Sequence, residues 1–126
     1  MCIRDSLDIL QKQGHKLYVA TSKPKEYSVR ILDKFGLLKY FEYVSGSSMD
    51  EKDSDKATII KNALNVSLAD KKDVLMIGDR CFDIKGAKTN GVDSLAVLYG
   101  YGSREEITDS APEYIAETVN DIFNYV

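Results

Sequence analysis

Apolar residues along this chain recur at two spacings, and the two alternate. Leu7, Ile9 and Leu10 suggest a first helix that stops near Gln13-Gly14, where glycine ends the pattern. Lys16-Leu-Tyr-Val-Ala-Thr21 then reads as a buried strand. After Ser22-Lys-Pro24, with Pro24 placed for a first helical position, Tyr27, Val29, Ile31, Leu32 and Phe35 follow helical spacing up to Gly36. Phe41-Glu-Tyr-Val-Ser45 is a short strand, Gly46 to Asp55 a polar loop, and Ala57, Ile59, Ile60, Ala63 and Leu64 mark another amphipathic helix. Asp73-Val-Leu-Met-Ile77 is the clearest strand and runs straight into Gly78-Asp79. A helix over about 82–89 closes at Asn90-Gly91, and Ser94-Leu-Ala-Val-Leu98 is the last core strand, leaving through Tyr99-Gly-Tyr-Gly102. The tail from Pro112 predicts a loop, a very short strand at Tyr114-Ile115 and a final helix. Strands alternating with helices predict an α/β fold on a parallel sheet.

Composition narrows the function without naming it. A chain of 126 residues fits one domain, large enough to fold without disulfides or a structural metal. A net charge of −3, with lysines scattered along the chain, argues against a nucleic-acid partner. No stretch approaches the roughly 20 apolar residues of a membrane span. The opening Met-Cys-Ile-Arg-Asp-Ser has neither the apolar core nor the cleavage site of a signal peptide. Cys2 and Cys81 make no disulfide framework or zinc half-site, so a reducing cytoplasm is expected.

Candidate chemistry lies where strands end. In open parallel sheets ligands collect at the carboxyl ends of strands, and Thr21-Ser22, Lys56 and Asp79 fall there or at the neighbouring helix start, with Asp83 one helical turn beyond Asp79. Asp79 and Asp83 could serve only as a helix cap and a favourable first-turn charge. Two carboxylates at one strand end repel, however, unless a cation or base lies between them. A few hard oxygen ligands completed by water and phosphate suit Mg²⁺, with Asp79 binding directly and Asp83 directly or through water. Lys56 could be a solvated surface lysine; yet it opens a helix, where the macrodipole disfavours a cation unless an anion or carboxylate lies opposite. Thr21 and Ser22 could cap the helix after Pro24, or could use the same hydroxyls and free N–H groups to hold an anion.

Taken in order, these pieces resemble motifs two, three and four of the haloacid dehalogenase superfamily: Leu17-Tyr-Val-Ala-Thr-Ser-Lys-Pro24, Lys56, and Met76-Ile-Gly-Asp-Arg-Cys-Phe-Asp-Ile-Lys-Gly-Ala87. Phe35-Gly-Leu-Leu-Lys-Tyr-Phe41, Gly91-Val and Val97-Leu-Tyr-Gly-Tyr-Gly-Ser103 are similar to its phosphoglycolate phosphatase and 5′-nucleotidase-like branch. The resemblance implies a Rossmann-like three-layer parallel sheet and Mg²⁺-dependent hydrolysis of a small phosphorylated metabolite. The reaction would pass through an aspartyl-phosphate, with a second Asp as general acid–base. Thr21, with Ser22, would then contact the phosphoryl oxygens, Lys56 would offset their charge, and Asp79 and Asp83 would hold the metal.

The family pattern also expects an Asp-x-Asp strand upstream of Thr21, and a cap inserted after it. Asp5 and Asp8 are the only carboxylates before Thr21, at the wrong spacing and in a helical pattern. Residues 1–6 therefore read as a leader foreign to the family, and 7–126 as a partial core lacking its first, central strand and the cap. The parent activity is expected to be a phosphatase, and this chain by itself inactive. The rival is a non-catalytic phosphate- or Mg²⁺-binding module. Three other readings fail on residues: a receiver domain has its acidic residues first and its lysine last, Ala87 stands where a Cys81-based phosphatase needs arginine, and Gly100-Tyr-Gly102 lacks the third glycine of a dinucleotide loop.

Overall fold

The structure, a computed structural model, describes residues 3–47 and 55–126. The chain divides into two compact units, Met1–Leu68 and Ala69–Val126.

The first unit carries α1 (Ile3–Lys12), β1 (Leu17–Pro24), α2 (Lys25–Lys34), β2 (Phe41–Ser47) and α3 (Lys56–Ser67). β1 and β2 pair in parallel, with Ala20 opposite Ser45 and Pro24 opposite Ser47. The core is built from Leu10, Tyr40, Val44, Ile59 and Ile60, and the buried Ser45 hydroxyl donates to the Ile59 carbonyl at 2.7 Å, fastening α3 to β2. Two boundaries differ from expectation. Pro24 is the last strand residue and the N-cap of α2 rather than its first turn, because its ψ of 135° is still extended. β2 runs two residues beyond Ser45, taking Gly46 and Ser47 out of the expected loop; the rest of that loop, 48–54, lies outside the described residues.

The second unit carries β3 (Leu75–Gly78), α4 (Cys81–Thr89), β4 (Asp93–Val97), α5 (Arg104–Ser110) and β5 (Tyr114–Ala116), in a parallel sheet of order β3-β4-β5. β4 shows why a central parallel strand is apolar throughout: alternate side chains leave on opposite faces. Leu95 and Val97 pack with Ala116 and Ile122 on one face. Ala96 meets Ile84 of α4 and Ile107 of α5, with Leu98 against them. This unit is thus three-layered, as an α/β sheet covered on both faces should be. Asn90-Gly91 closes α4 as expected, Gly91 taking φ 74°.

α5 was not foreseen, and the expected final helix is only a 3₁₀ turn over Asn120–Asn124. Its start is fixed locally: Asp121 Oδ2 accepts from the Glu117 and Thr118 amides at 3.1 Å. Among the described residues no helix is long and apolar enough to cross a membrane.

Among the described residues β1 and β3 have one hydrogen-bonded neighbour each. Both are only partly buried, and Ile77 of β3 is 38% exposed. β4, paired on both sides, is buried over its last four residues. An apolar strand with an unpaired edge is a template for association.

Away from the strand ends, Glu113 ties β5's approach to β4. Its Oε2 accepts from Ser94 N at 2.7 Å and Ser94 Oγ at 2.9 Å, and Lys88 lies 4.0 Å from Oε1. The Ser94 amide, chiefly, holds the Glu113 carboxyl below its ordinary value of 4.5. A carboxyl with a lowered folded-state pKa stabilises the fold above its unfolded value, and loses that contribution as pH falls through the lowered one. Glu113→Gln should therefore melt lower than wild type near neutral pH, and the gap should close as pH falls below the ordinary carboxyl value of 4.5. Melting curves that stay parallel over that range would contradict the assignment.

Candidate active site

In the second unit the carboxyl end of β3 turns sharply into α4, and this turn brings the two aspartates together. Asp83 is buried, and its Oδ2 accepts from the amides of Asp79 at 3.1 Å and Arg80 at 3.2 Å. Asp83 thus satisfies orphan amides at the helix start, which is half of the simple capping explanation. Asp79 takes no part in capping; the N-cap is Arg80. Its carboxylate is held instead by the loop after β4, where Tyr101 N–H donates to Asp79 Oδ2 at 2.9 Å and Gly102 N–H donates to the Asp79 carbonyl at 3.0 Å.

Two glycines make this approach possible. A Cβ on Gly78 would run into the Asp83 carboxylate, and one on Gly100 into the Asp79 carboxylate. The site is therefore a close-packed turn with two carboxylates fixed by backbone donors.

A second layer of contacts surrounds the turn. Arg80 Nε and Nη2 donate to Glu106 Oε2 and Oε1 at 2.9 and 3.3 Å, and Cys81 N–H donates to Glu106 Oε2 at 3.1 Å. The Arg80 guanidinium first, and the Cys81 amide second, hold the Glu106 carboxyl below its ordinary value. Cys81 is thereby placed as a neighbour of the turn, half-buried at the start of α4.

In the first unit, Thr21 lies within β1 rather than after it, half-buried, and its Oγ1 accepts from Lys23 N–H at 3.2 Å. Ser22 is exposed. Neither caps α2, whose N-terminus has no side-chain cap. Lys56 is the first residue of α3, after Asp55, whose Oδ2 caps the helix through Thr58 N–H at 3.2 Å. Lys56 is no solvated surface lysine: half-buried, it donates to the Ala20 carbonyl at 2.8 Å. The ammonium is thus set on the carbonyl that precedes Thr21, within β1 rather than at its end.

The expected site residues fall into a cation-bearing group, Thr21, Ser22 and Lys56, in one unit and a carboxylate pair, Asp79 and Asp83, in the other. Reading the sequence missed Glu106, the Tyr101 amide and the role of Gly100. Ser103-x-x-Glu106 carried a signal for the first: Ser103 Oγ caps α5 by accepting from Glu106 N–H at 3.0 Å.

Comparison with known proteins gives the chain a family. The family model for haloacid dehalogenase-like hydrolases matches residues 2–97, and the chain belongs to that family. It is 37% identical over 112 residues to a 5′-nucleotidase of Pseudomonas aeruginosa, covering 89% of this chain and 51% of the relative. To a phosphoglycolate phosphatase of Nitrosococcus oceani it is 30% identical over 123 residues, covering 97% of this chain and 54% of the relative. A crystal structure of a phosphatase from Clostridium acetobutylicum, assigned as such by prediction, superposes with a TM-score of 0.94 at 39% identity, over 97% of this chain and 56% of that one. The chain spans about half the length of the curated relatives it matches.

The turn makes a direct prediction about stability. In metal-free buffer Asp83→Ala strands two amide donors and should lower unfolding free energy by about 2 kcal/mol, whereas Asp83→Asn keeps an acceptor and should cost less. Urea denaturation of the three proteins measures this. An alanine variant as stable as wild type would rule out the capping role.

Proposed function

We propose that this chain is the greater part of the core of a Mg²⁺-dependent phosphatase acting on small phosphate monoesters. That partial core domain takes in residues 7–126, and the setting is cytoplasmic. The observation that carries the reading is the carboxylate pair at the end of β3, Asp79 and Asp83, joined by an Asp79 N–H to Asp83 Oδ2 bond of 3.1 Å.

The donor set fits the ion. Mg²⁺ takes one or two carboxylates and fills its remaining positions with water and phosphate oxygens. Asp79 offers a carboxylate oriented by Tyr101 N–H, and Asp83 stands one turn on, itself oriented by two amides. Asp79 would hold the ion, with Asp83 in support. The chemistry the ion supplies when bound is charge neutralisation at the phosphate. Lys56 would add a second positive charge. Its anchor on the Ala20 carbonyl leaves it beside Thr21, whose hydroxyl, with that of Ser22, would contact phosphoryl oxygens. Phosphoryl transfer asks mainly for such positioning and charge offset.

Among the described residues before Thr21, none is placed as the nucleophile. Asp5 and Asp8 both lie on α1, and Asp8 is paired with Lys12 at 2.8 Å. Neither stands in the strand context the chemistry needs, and this chain by itself is expected to be inactive. The family relatives named phosphoglycolate phosphatase and 5′-nucleotidase support the substrate class.

Two assays on the 126-residue chain test the reading together. Titration calorimetry should detect Mg²⁺ binding that is lost in Asp79→Asn, while an aryl phosphate incubated with the chain and Mg²⁺ should be hydrolysed no faster than the buffer blank. Mg²⁺ affinity unchanged by Asp79→Asn would remove the metal site, and robust Mg²⁺-dependent turnover would show that a nucleophile is present after all.

A further inference from the structure

We infer that Glu106 is a positioning residue for the metal-binding turn, acting through Arg80 and the Cys81 amide. The inference rests on the metal reading above and concerns a residue outside the four family motifs. Glu106 lies on α5, more than twenty residues beyond the turn in sequence, yet both its carboxylate oxygens are committed to it. Oε2 accepts from Arg80 Nε at 2.9 Å and from Cys81 N–H at 3.1 Å, and Oε1 accepts from Arg80 Nη2 at 3.3 Å. The bonded groups, Arg80 and Cys81, are the two residues that follow Asp79. A bidentate arginine–carboxylate pair fixes direction as well as distance.

The loop leading to Glu106 grips the same turn from its other side. Tyr101 N–H holds the Asp79 carboxylate at 2.9 Å and Gly102 N–H the Asp79 carbonyl at 3.0 Å. Ser103 then caps α5 through the Glu106 amide at 3.0 Å, so the carboxylate that reaches back to the turn leaves from a fixed helix start. Asp79, Arg80 and Cys81 are thus each bonded to one continuous segment, 101–106. An aspartate on a free turn would have to be ordered by the ion; here that order is built before the ion arrives. Partners that orient ligands in this way change metal affinity by roughly 10–100-fold when removed.

The test is Mn²⁺ binding by the full chain, read from the loss of the free-ion paramagnetic resonance signal, with thermal melts on the same samples. Glu106→Ala should weaken Mn²⁺ binding by roughly tenfold or more. Glu106→Gln, which keeps a carbonyl oxygen for the Cys81 amide but loses the charged grip on Arg80, should fall between. Glu105→Ala removes a neighbouring exposed carboxylate that touches neither group, and should bind as wild type does. A purely structural role would lower the melting temperature of Glu106→Ala and leave the affinity of its folded fraction unchanged, which would overturn the inference. Where Glu106→Ala does not fold, Glu106→Gln decides: wild-type affinity in that variant overturns the inference and reduced affinity supports it. If wild type itself binds no Mn²⁺, the metal reading fails and takes the positioning role with it.

Discussion

The hydrogen bonds that the Asp83 carboxylate accepts from the amides of Asp79 and Arg80 are the constraint on which the candidate site depends. They turn the chain from β3 into α4 within two residues. They also satisfy amides that a helix start would otherwise leave without partners. Because the acceptor is a carboxylate, the same contact sets a second negative charge next to Asp79. Capping and the proposed metal binding would therefore be two uses of one geometry. The cap explains why the turn is stable without an ion, and the adjacent charges explain why a cation would be drawn to it.

What surrounds the turn follows from how closely the backbone approaches each carboxylate. Gly78 and Gly100 leave no room for a Cβ beside them, and the 101–106 segment supplies donors where side chains could not fit. Lys56 meets a comparable demand in its own unit. The macrodipole at the start of α3 works against an ammonium there, and the 2.8 Å bond to the Ala20 carbonyl offsets part of that cost while fixing the charge against β1. β1 and β3 are themselves only partly buried, each paired on one side.

Much of this was legible in the sequence, and the limits have physical causes. The β3–α4 turn, Lys56 at a helix start and the parallel strands all follow from local pattern. An apolar run ending in Gly-Asp and a lysine heading a 3.6-residue period are signals carried by consecutive residues. The extent of β1 was misjudged because Pro24 suits both a strand end and a first helical turn, and only its ψ decides between them. α5 escaped notice because seven residues, Arg104–Ser110, give too short a period to read, leaving Ser103-x-x-Glu106 as its sole mark. The grip of Glu106 on Arg80 joins residues 26 apart, a contact created by folding and absent from any local pattern. The expected final helix is cut short by a local contact: Asp121 accepts from the Glu117 and Thr118 amides at the start of what is only a 3₁₀ turn.

The most direct test of the central claim is a crystal structure of this chain grown with Mn²⁺ in place of Mg²⁺, read by anomalous scattering. The account predicts an anomalous peak on the carboxylate of Asp79, with the Asp83 Oδ2 bonds to the Asp79 and Arg80 amides still in place. An anomalous map with Mn²⁺ elsewhere and none at Asp79, in crystals where that turn is ordered, would contradict it.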